Sequence, residues 1–453
     1  TSTLLPRLVL VKPGEWRALL LAAAYFFFLL SSYYLLRPFR EAVGIDRGTD
    51  DLPWLMTGTL LAMLAANPLY SALVSRLPRR RFIPFVYRFF ALNMLAFYAL
   101  FQLLPEASRT NLGYAFYIWL SVFNLFVVSV FWSFCADTFN TEQGKRVFGF
   151  IGVGGTLGAI CGAAVTSHLV KGIALPSGFD VKVDPPTLLL IAVVPLECAV
   201  QCVRLIWAPE TPTIGRQPLR GQAASTPPSS AIASPSPARN PEPGPGAFAG
   251  LALIARSPYL LLIALYILLF SLTSTLLYLQ QAGIISQQFP DRAARTAAFA
   301  SLDLWTNIIT LTCQVFLTGR IISLLGVGRT LALLPLITIV GFICLAANPG
   351  FQVLFTFQVL RRAVHYAVDR PAREVLFTVV GPDEKYKSKS FIDTFIYRTG
   401  DMTGAWTPRL LKSAAASLGW AAIPISTIAL PVAALWLGAG LLLGRMHGKR
   451  HAK

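Results

Sequence analysis

Charge is what this sequence has least of. Asp, Glu, Lys and Arg make up 13% of its 453 residues, roughly half the share found in an average soluble domain. Acids are scarcer than bases, 21 against 39, giving a formal net charge of +18. Such an excess would suit a nucleic-acid-binding domain, but a hydrophobic fraction of 55% and a mean hydropathy of +0.60 exclude one. Cysteine is nearly absent: Cys135, Cys161, Cys198, Cys202, Cys313 and Cys344 all lie in apolar stretches, and none forms a C-x-x-C pair. A secreted disulfide scaffold is thereby excluded. With only four His, the thiols read as small packing residues and no metal is expected. No P-loop or Ser/His/Asp arrangement stands out, and no polar stretch could hold a catalytic domain. Neither an enzyme nor a bound cofactor is expected.

Long apolar runs fill the space that charge leaves. They cover about 18–36, 52–74, 82–104, 112–138, 147–170 and 188–207, then 259–280, 296–318, 331–347, 351–380, 391–415 and 420–443. In hydrocarbon every backbone donor and acceptor must be satisfied within its own segment, so these runs are predicted to be helices. The first is not read as a signal peptide, because the polar Arg37-Pro38-Phe39-Arg40-Glu41 follows it where a cleavage site would stand. Between the sixth and seventh runs, Pro209 to Gly246 is rich in Pro, Ser, Ala and Gly and cannot bury a core. The expected fold class is an all-α polytopic membrane protein with twelve transmembrane helices in two six-helix halves. The halves are placed at 1–208 and 251–453, the second with a basic cytoplasmic tail, and a flexible cytoplasmic linker joins them at 209–250.

Loop charges orient the chain. With both termini inside, 23 Lys and Arg fall in inside segments, eight in outside loops and eight within the runs. That bias places both ends in the cytoplasm of an inner (cell) membrane. The expected surroundings are a lipid bilayer, the expected state is a monomer, and no nucleic-acid partner is foreseen. The inside loop Ser71-Ala72-Leu73-Val74-Ser75-Arg76-Leu77-Pro78-Arg79-Arg80-Arg81 resembles the signature loop of the major facilitator superfamily, G-x-L-A-D-R-x-G-R-R, with Ser71, Ser75 and Pro78 replacing the Gly, Asp and Gly.

A shift of 242 residues carries Glu142-x-x-Lys145 onto Glu384-x-x-Lys387, Gly158 onto Gly400 and Gly162 onto Gly404. Two halves of parallel topology are a common transporter design. Gly154, Gly158 and Gly162 recur every four positions, giving a stripe suited to close helix packing and not to dinucleotide binding, since no strand precedes it. Gly400 and Gly404 are expected to pack likewise.

Charges inside membrane runs are costly and usually functional. Eight Arg (37, 40, 88, 361, 362, 370, 373 and 398) stand against Glu41, Asp137, Glu197, Asp303, Asp369, Glu374, Asp393 and Asp401. Arg37 and Glu41 are spaced to pair along the first helix, leaving Arg40 on another face. Arg88 is expected to snorkel toward the cytoplasm. In the tenth run, Arg362, His365, Asp369 and Arg373 are expected to share one helical face, which must line a cavity or a buried network. The planar guanidinium binds phosphate or carboxylate bidentately, so an anionic solute is the natural ligand. Tyr33 could stack on a ring of that solute.

The chain resembles the ATP/ADP translocase family of nucleotide transporters, known from plastids and intracellular bacteria and related in fold to the major facilitators. Three blocks carry the likeness: Tyr33 through Glu41, Phe131-Trp132-Ser133-Phe134 through Arg146, and Asp383-Glu384-Lys385 through Asp393. The resemblance implies a role in nucleotide binding for the basic residue after Leu36-Arg37, which is Arg40 here, and for the Lys-rich stretch Lys385, Lys387 and Lys389. The family's fourth-run acid has no counterpart: between Tyr117 and Ser129 the polar candidate is Asn124. That departure leaves open a phosphorylated or otherwise anionic solute other than ATP and ADP.

The expected function is secondary active transport by alternating access of an anionic, nucleotide-like solute, by exchange such as ATP/ADP antiport. Substrate-binding residues are expected to be Tyr33, Arg37, Arg40, Asn124, Arg362, Arg373 and Lys387. Gating or coupling is expected at Glu41, His365, Asp369, Glu374, Asp393, Arg398 and Asp401. The alternatives are a proton-coupled carrier or efflux pump that titrates Glu41, His365 and Asp369, and a non-transporting membrane sensor or scaffold.

Overall fold

The structure, a computed structural model, describes residues 15–76, 79–139, 141–174, 180–207, 247–381, 384, 388–389, 391–421 and 424–451. Among these, twelve long helical rods stand where the twelve apolar runs were expected. The first six are α1 (Trp16–Gly44), α2 (Leu52–Arg76), α3 (Arg79–Leu103), α4 (Glu106–Thr138), α5 (Thr141–Lys171) and α6 (Leu188–Ile206). A short antiparallel pair, β1 (Ile173–Ala174) with β2 (Asp180–Val181), precedes α6. After α7 (Ala247–Arg256) come α8 (Pro258–Gln288), α9 (Arg292–Phe316) and α10 (Thr318–Ala347). The eleventh rod is α11 (Phe351–Val364), which runs through a π-helical turn at His365–Asp369 into α12 (Arg370–Leu376). A second π-turn, Ile392–Ile396, opens α13 (Tyr397–Ser417), and α14 (Ile425–His451) is the last.

Eight of these helices are long and apolar enough to cross a membrane. Of the other four rods, α9, α11–α12 and α13 carry the polar and charged residues that interrupt an apolar run. The helix α7 begins at Ala247, inside the stretch read as linker, whereas 208–246 lie outside the described residues. Between α7 and α8 the break is local: Ser257 Oγ accepts from Leu260 N at 3.4 Å, and Pro258 fills a first-turn position that needs no N–H.

The chain divides into two compact units. One takes in Thr1–Val43, Gly58–Pro237 and Arg292–Leu304; the other takes in Gly44–Thr57, Ala238–Asp291 and Trp305–Lys453. In the first unit α1 is the central element. It runs antiparallel to α4 along an aromatic seam in which Phe26 stacks on Phe131 at 4.1 Å and Phe39 meets Phe116 at 5.2 Å. The Tyr25 and Tyr87 hydroxyls are hydrogen-bonded to each other in the same core. The other side of α1 lies against α5. A Cβ on Gly154 would strike the Ala23 carbonyl, one on Gly158 the Phe27 carbonyl, and one on Gly162 the Ser31 carbonyl. The close approach lets Ser31 Oγ donate to Gly158 O at 3.1 Å and Thr166 Oγ1 donate to Leu35 O at 2.9 Å. Ser32 Oγ ties α1 to α6 by donating to Ala192 O at 2.8 Å.

The second unit repeats this contact in α8 and α13. A Cβ on Gly400 would meet the Leu268 carbonyl, and one on Gly404 the Leu272 carbonyl. Ser271 Oγ, 2.8 Å from Tyr397 O and 2.5 Å from Asp401 Oδ1, shares its one hydrogen between these two acceptors on α13, in the place Ser31 takes against α5. A further crossing absent from the expected packing glycines brings Gly328 of α10 against Gly444 of α14, where a Cβ on either residue would meet the other's Cα.

These contacts make a direct prediction. Gly158→Leu places a branched side chain against the α1 backbone, which cannot yield as a flexible side chain can, and costs about 2 kcal/mol or more. The melting temperature of the purified protein in detergent falls. Gly438→Ala, where an added Cβ meets nothing within 4 Å, leaves it unchanged.

Candidate functional site

In the first unit the block at the end of α1 is built from ion pairs and rings. Arg37 Nη1 lies 2.8 Å from Oδ1 of Asp303, a buried carboxylate on α9, and its guanidinium sits 5.5 Å from the centre of the Tyr34 ring. The expected Arg37–Glu41 pair along the helix does not form. Glu41 instead takes Arg40 Nη1 at 2.7 Å. Arg40 also donates from Nε to the Tyr117 carbonyl at 3.0 Å and lies 3.8 Å over the Tyr117 ring. The reason is steric: α4 brings Tyr117 beneath Arg40 and fixes its rotamer, while Asp303 offers Arg37 a buried partner that a neighbour on its own helix cannot match. Tyr33 packs against the α1 core and meets Tyr34 edge to face at 5.3 Å. Asn124 is half-buried on α4, two turns beyond Tyr117.

Arg88 is exposed on α3. It forms a two-point pair with Glu197 of α6, Nη2 to Oε1 at 2.8 Å and Nε to Oε2 at 3.2 Å.

In the second unit α8 and α11–α12 run antiparallel, and their facing residues form a polar ladder. Tyr266 lies opposite Asp369, Phe270 opposite His365, Ser274 opposite Arg361 and Gln281 opposite Gln358. Asp369 is the hub and is fully buried. It accepts from Tyr266 Oη at 2.6 Å, and its Oδ2 stands 3.2 Å from His365 Nδ1 and 3.3 Å from Arg373 Nε. His365 stacks on Phe270 at 4.3 Å, with the Arg373 guanidinium 5.2 Å from the same ring. His365, Asp369 and Arg373 therefore share a face as expected. Their fourth member is Arg361, one turn before His365, and not Arg362, which is half-buried beside it. The residue numbers 361, 365, 369 and 373 step by four, which the π-turn at His365–Asp369 accommodates.

The remaining expected residues are placed separately. Glu374 pairs with Lys389 at 2.6 Å. Asp393 is exposed in the second π-turn. Arg398 Nη1 is 3.4 Å from Asp401 Oδ2, and Asp401 Oδ1 takes Ser271 Oγ at 2.5 Å and Thr275 Oγ1 at 3.3 Å, beside Gly400 and Gly404. Lys387 lies outside the described residues. Sequence reasoning gave no role to Asp303, Tyr117, Tyr266, Phe270 or Arg361. The available signal was the four-residue step from Arg361 to Arg373; the pairing of Arg37 with Asp303 left none.

The model of the TLC ATP/ADP transporter family matches residues 107–350, more than half of the chain. The "ADP,ATP carrier protein 1" of Chlamydia pneumoniae is 22% identical over 213 residues, covering 43% of this chain and 41% of that protein. The protein of the same name from Chlamydia trachomatis is 20% identical over 357 residues, covering 73% and 64%. The matches thus span less than two thirds of either relative. Among solved structures, the nucleoside transporter NupG aligns with a TM-score of 0.58 at 12% identity, covering 98% of this chain and all of that one. An auto-inhibited peptide transporter of the POT family aligns with a TM-score of 0.56 at 15% identity, covering 96% and 97%. These likenesses establish a major-facilitator-like fold, and the family match over the centre of the sequence makes this chain a member of the TLC ATP/ADP transporter family.

Proposed function

We propose that the protein exchanges anionic, nucleotide-like solutes across a membrane by alternating access, with ATP for ADP as the first pair to examine. The observation that carries this reading is the family match over residues 107–350; the clustered guanidinium groups on α1 and α11–α12 support it. Arg37, Arg40, Tyr33 and Asn124 serve the solute in the first unit, and Arg362, Arg373 and Lys387 in the second. Arg40 reaches a phosphate by trading its pair with Glu41 for the incoming oxyanion, so Glu41 holds the cation between solutes. His365, Asp369, Glu374, Asp393, Arg398 and Asp401 act as coupling residues whose ion pairs rearrange during the cycle. In this reading the protein works as a monomer in the lipid of the inner (cell) membrane, with both termini in the cytoplasm.

Counterflow in proteoliposomes tests the proposal. Vesicles loaded with unlabelled ATP accumulate labelled ADP, and empty vesicles do not; equal uptake into both would refute exchange. Losing a charge-assisted contact to phosphate costs about 1.5–3 kcal/mol, so Arg40→Ala raises the apparent KM for ADP by about tenfold or more. Glu41→Gln, which frees Arg40, lowers the apparent Kd for ADP in a thermal-shift titration while slowing counterflow. An unchanged Kd in Glu41→Gln would sink the trading role assigned to that pair.

A further inference from the structure

Arg361 is 4% exposed in the last turn of α11, yet it has no carboxylate partner among the described residues. Its Nε donates to Thr338 Oγ1 on α10 at 3.1 Å, and its Nη2 donates to Ser274 Oγ on α8 at 2.9 Å. Both hydroxyls already give their own hydrogens to the preceding helical turn, Thr338 to Leu334 O at 2.8 Å and Ser274 to Phe270 O at 2.7 Å. Their lone pairs are thus fixed toward the guanidinium, and three helices orient one cation. Among the described residues Nη1 has no protein acceptor. The nearby acids are engaged elsewhere: Asp369 by Tyr266, His365 and Arg373, Asp401 by Ser271, Thr275 and Arg398, and Glu374 by Lys389.

A charge buried without a counter-charge is a liability that an uncharged side chain of similar length would avoid. Orienting it on two neutral hydroxyls makes sense when the counter-charge arrives with a ligand. We infer that Arg361 receives an oxyanion of the transported solute at Nη1, with the Phe270 ring, 5.7 Å from the guanidinium carbon, forming the floor beside it. The anion is a phosphate or carboxylate group, the chemistry that a guanidinium edge matches. This inference rests on the exchange reading above for its solute. It adds a residue outside the set that reading uses, and it predicts that the solute's charge, not its ring, is what Arg361 senses.

The test is a thermal-shift titration of the full chain in detergent with ADP, ATP, adenosine, pyrophosphate and inorganic phosphate, on wild type, Arg361→Gln and Arg361→Lys. The expected result has three parts. Arg361→Gln weakens the apparent affinity for ADP by about tenfold or more, leaves the response to adenosine as in wild type, and melts higher than wild type without ligand because an uncompensated charge is gone. Arg361→Lys restores part of the ADP response. An ADP affinity for Arg361→Gln within about twofold of wild type would overturn the inference. So would a lower ligand-free melting temperature with equal loss of the ADP and adenosine responses, the signature of a structural clamp. If pyrophosphate or phosphate protects wild type in an Arg361-dependent way and nucleotides do not, the nucleotide reading fails and the oxyanion role stands. Protection of wild type by none of these probes overturns both.

Discussion

A guanidinium keeps its proton under any condition a membrane protein meets, so each arginine in a hydrocarbon-spanning helix must find a counter-charge or be held for one. The helix arrangement around α1 and α11 follows from that demand. Arg37 draws Asp303 of α9 to α1, Arg40 takes Glu41 and lies flat on Tyr117, and Arg88 joins α3 to α6 through Glu197. In the second unit Arg373 shares Asp369 with His365 and Tyr266. The pairs of Arg37 and Arg88 and the Tyr266–Asp369 hydrogen bond cross between helices and fix which neighbour each turns toward, while Arg40–Glu41 and Arg373–Asp369 neutralise charge within one rod.

Neutralisation at such short range needs helices that approach closely, and the small residues provide it. On α5 and on α13 the glycines lie against carbonyls of α1 and α8, and serines use the narrow gap to reach backbone oxygen across it. The same serine, Ser271, then touches Asp401 on α13. Close approach therefore serves the charge network directly: with bulkier residues at 400 and 404, Asp401 would lose the hydroxyls that satisfy it and would stand as a buried acid with Arg398 alone. The two units differ in what they put on the opposite side of the central helix. The seam between α1 and α4 is a stack of rings; the one between α8 and α11 is a ladder of hydrogen bonds. A ring stack has one well-packed arrangement, whereas a ladder of polar partners has alternatives within reach, so the second unit is the better suited to rearrange.

The twelve helices were legible because hydrocarbon leaves the backbone no other choice; an apolar run of about 20 residues is already a structural statement. The 242-residue repeat was legible at Gly158, Gly162, Gly400 and Gly404 because small residues at a fixed helical step leave a pattern. Partner choice left no such pattern. Arg37 lies four residues from Glu41, which invites a pair along the helix, but Asp303 is far away in sequence and outcompetes it. A π-turn is likewise silent: His365–Asp369 reads as ordinary helix, yet its wider turn keeps His365, Asp369 and Arg373 on one face at a four-residue step. Local spacing announces faces; which face meets which partner is settled only by packing.

Eight in-membrane arginines against eight acids suggest a neutral interior and, taken as a sum, give no reason to expect an anion. The geometry breaks that symmetry. A carboxylate neutralises only what it touches, and Asp369, Asp401 and Glu374 are each committed to particular donors. Among the described residues Asp393 is exposed and forms no ion pair of its own. Counted globally the charges cancel, but counted by contact the cluster on α11 carries a surplus at Arg361. Under the exchange reading proposed above, a site neutral without solute would have to break an ion pair to bind, while a site left short of a counter-charge gains one by binding.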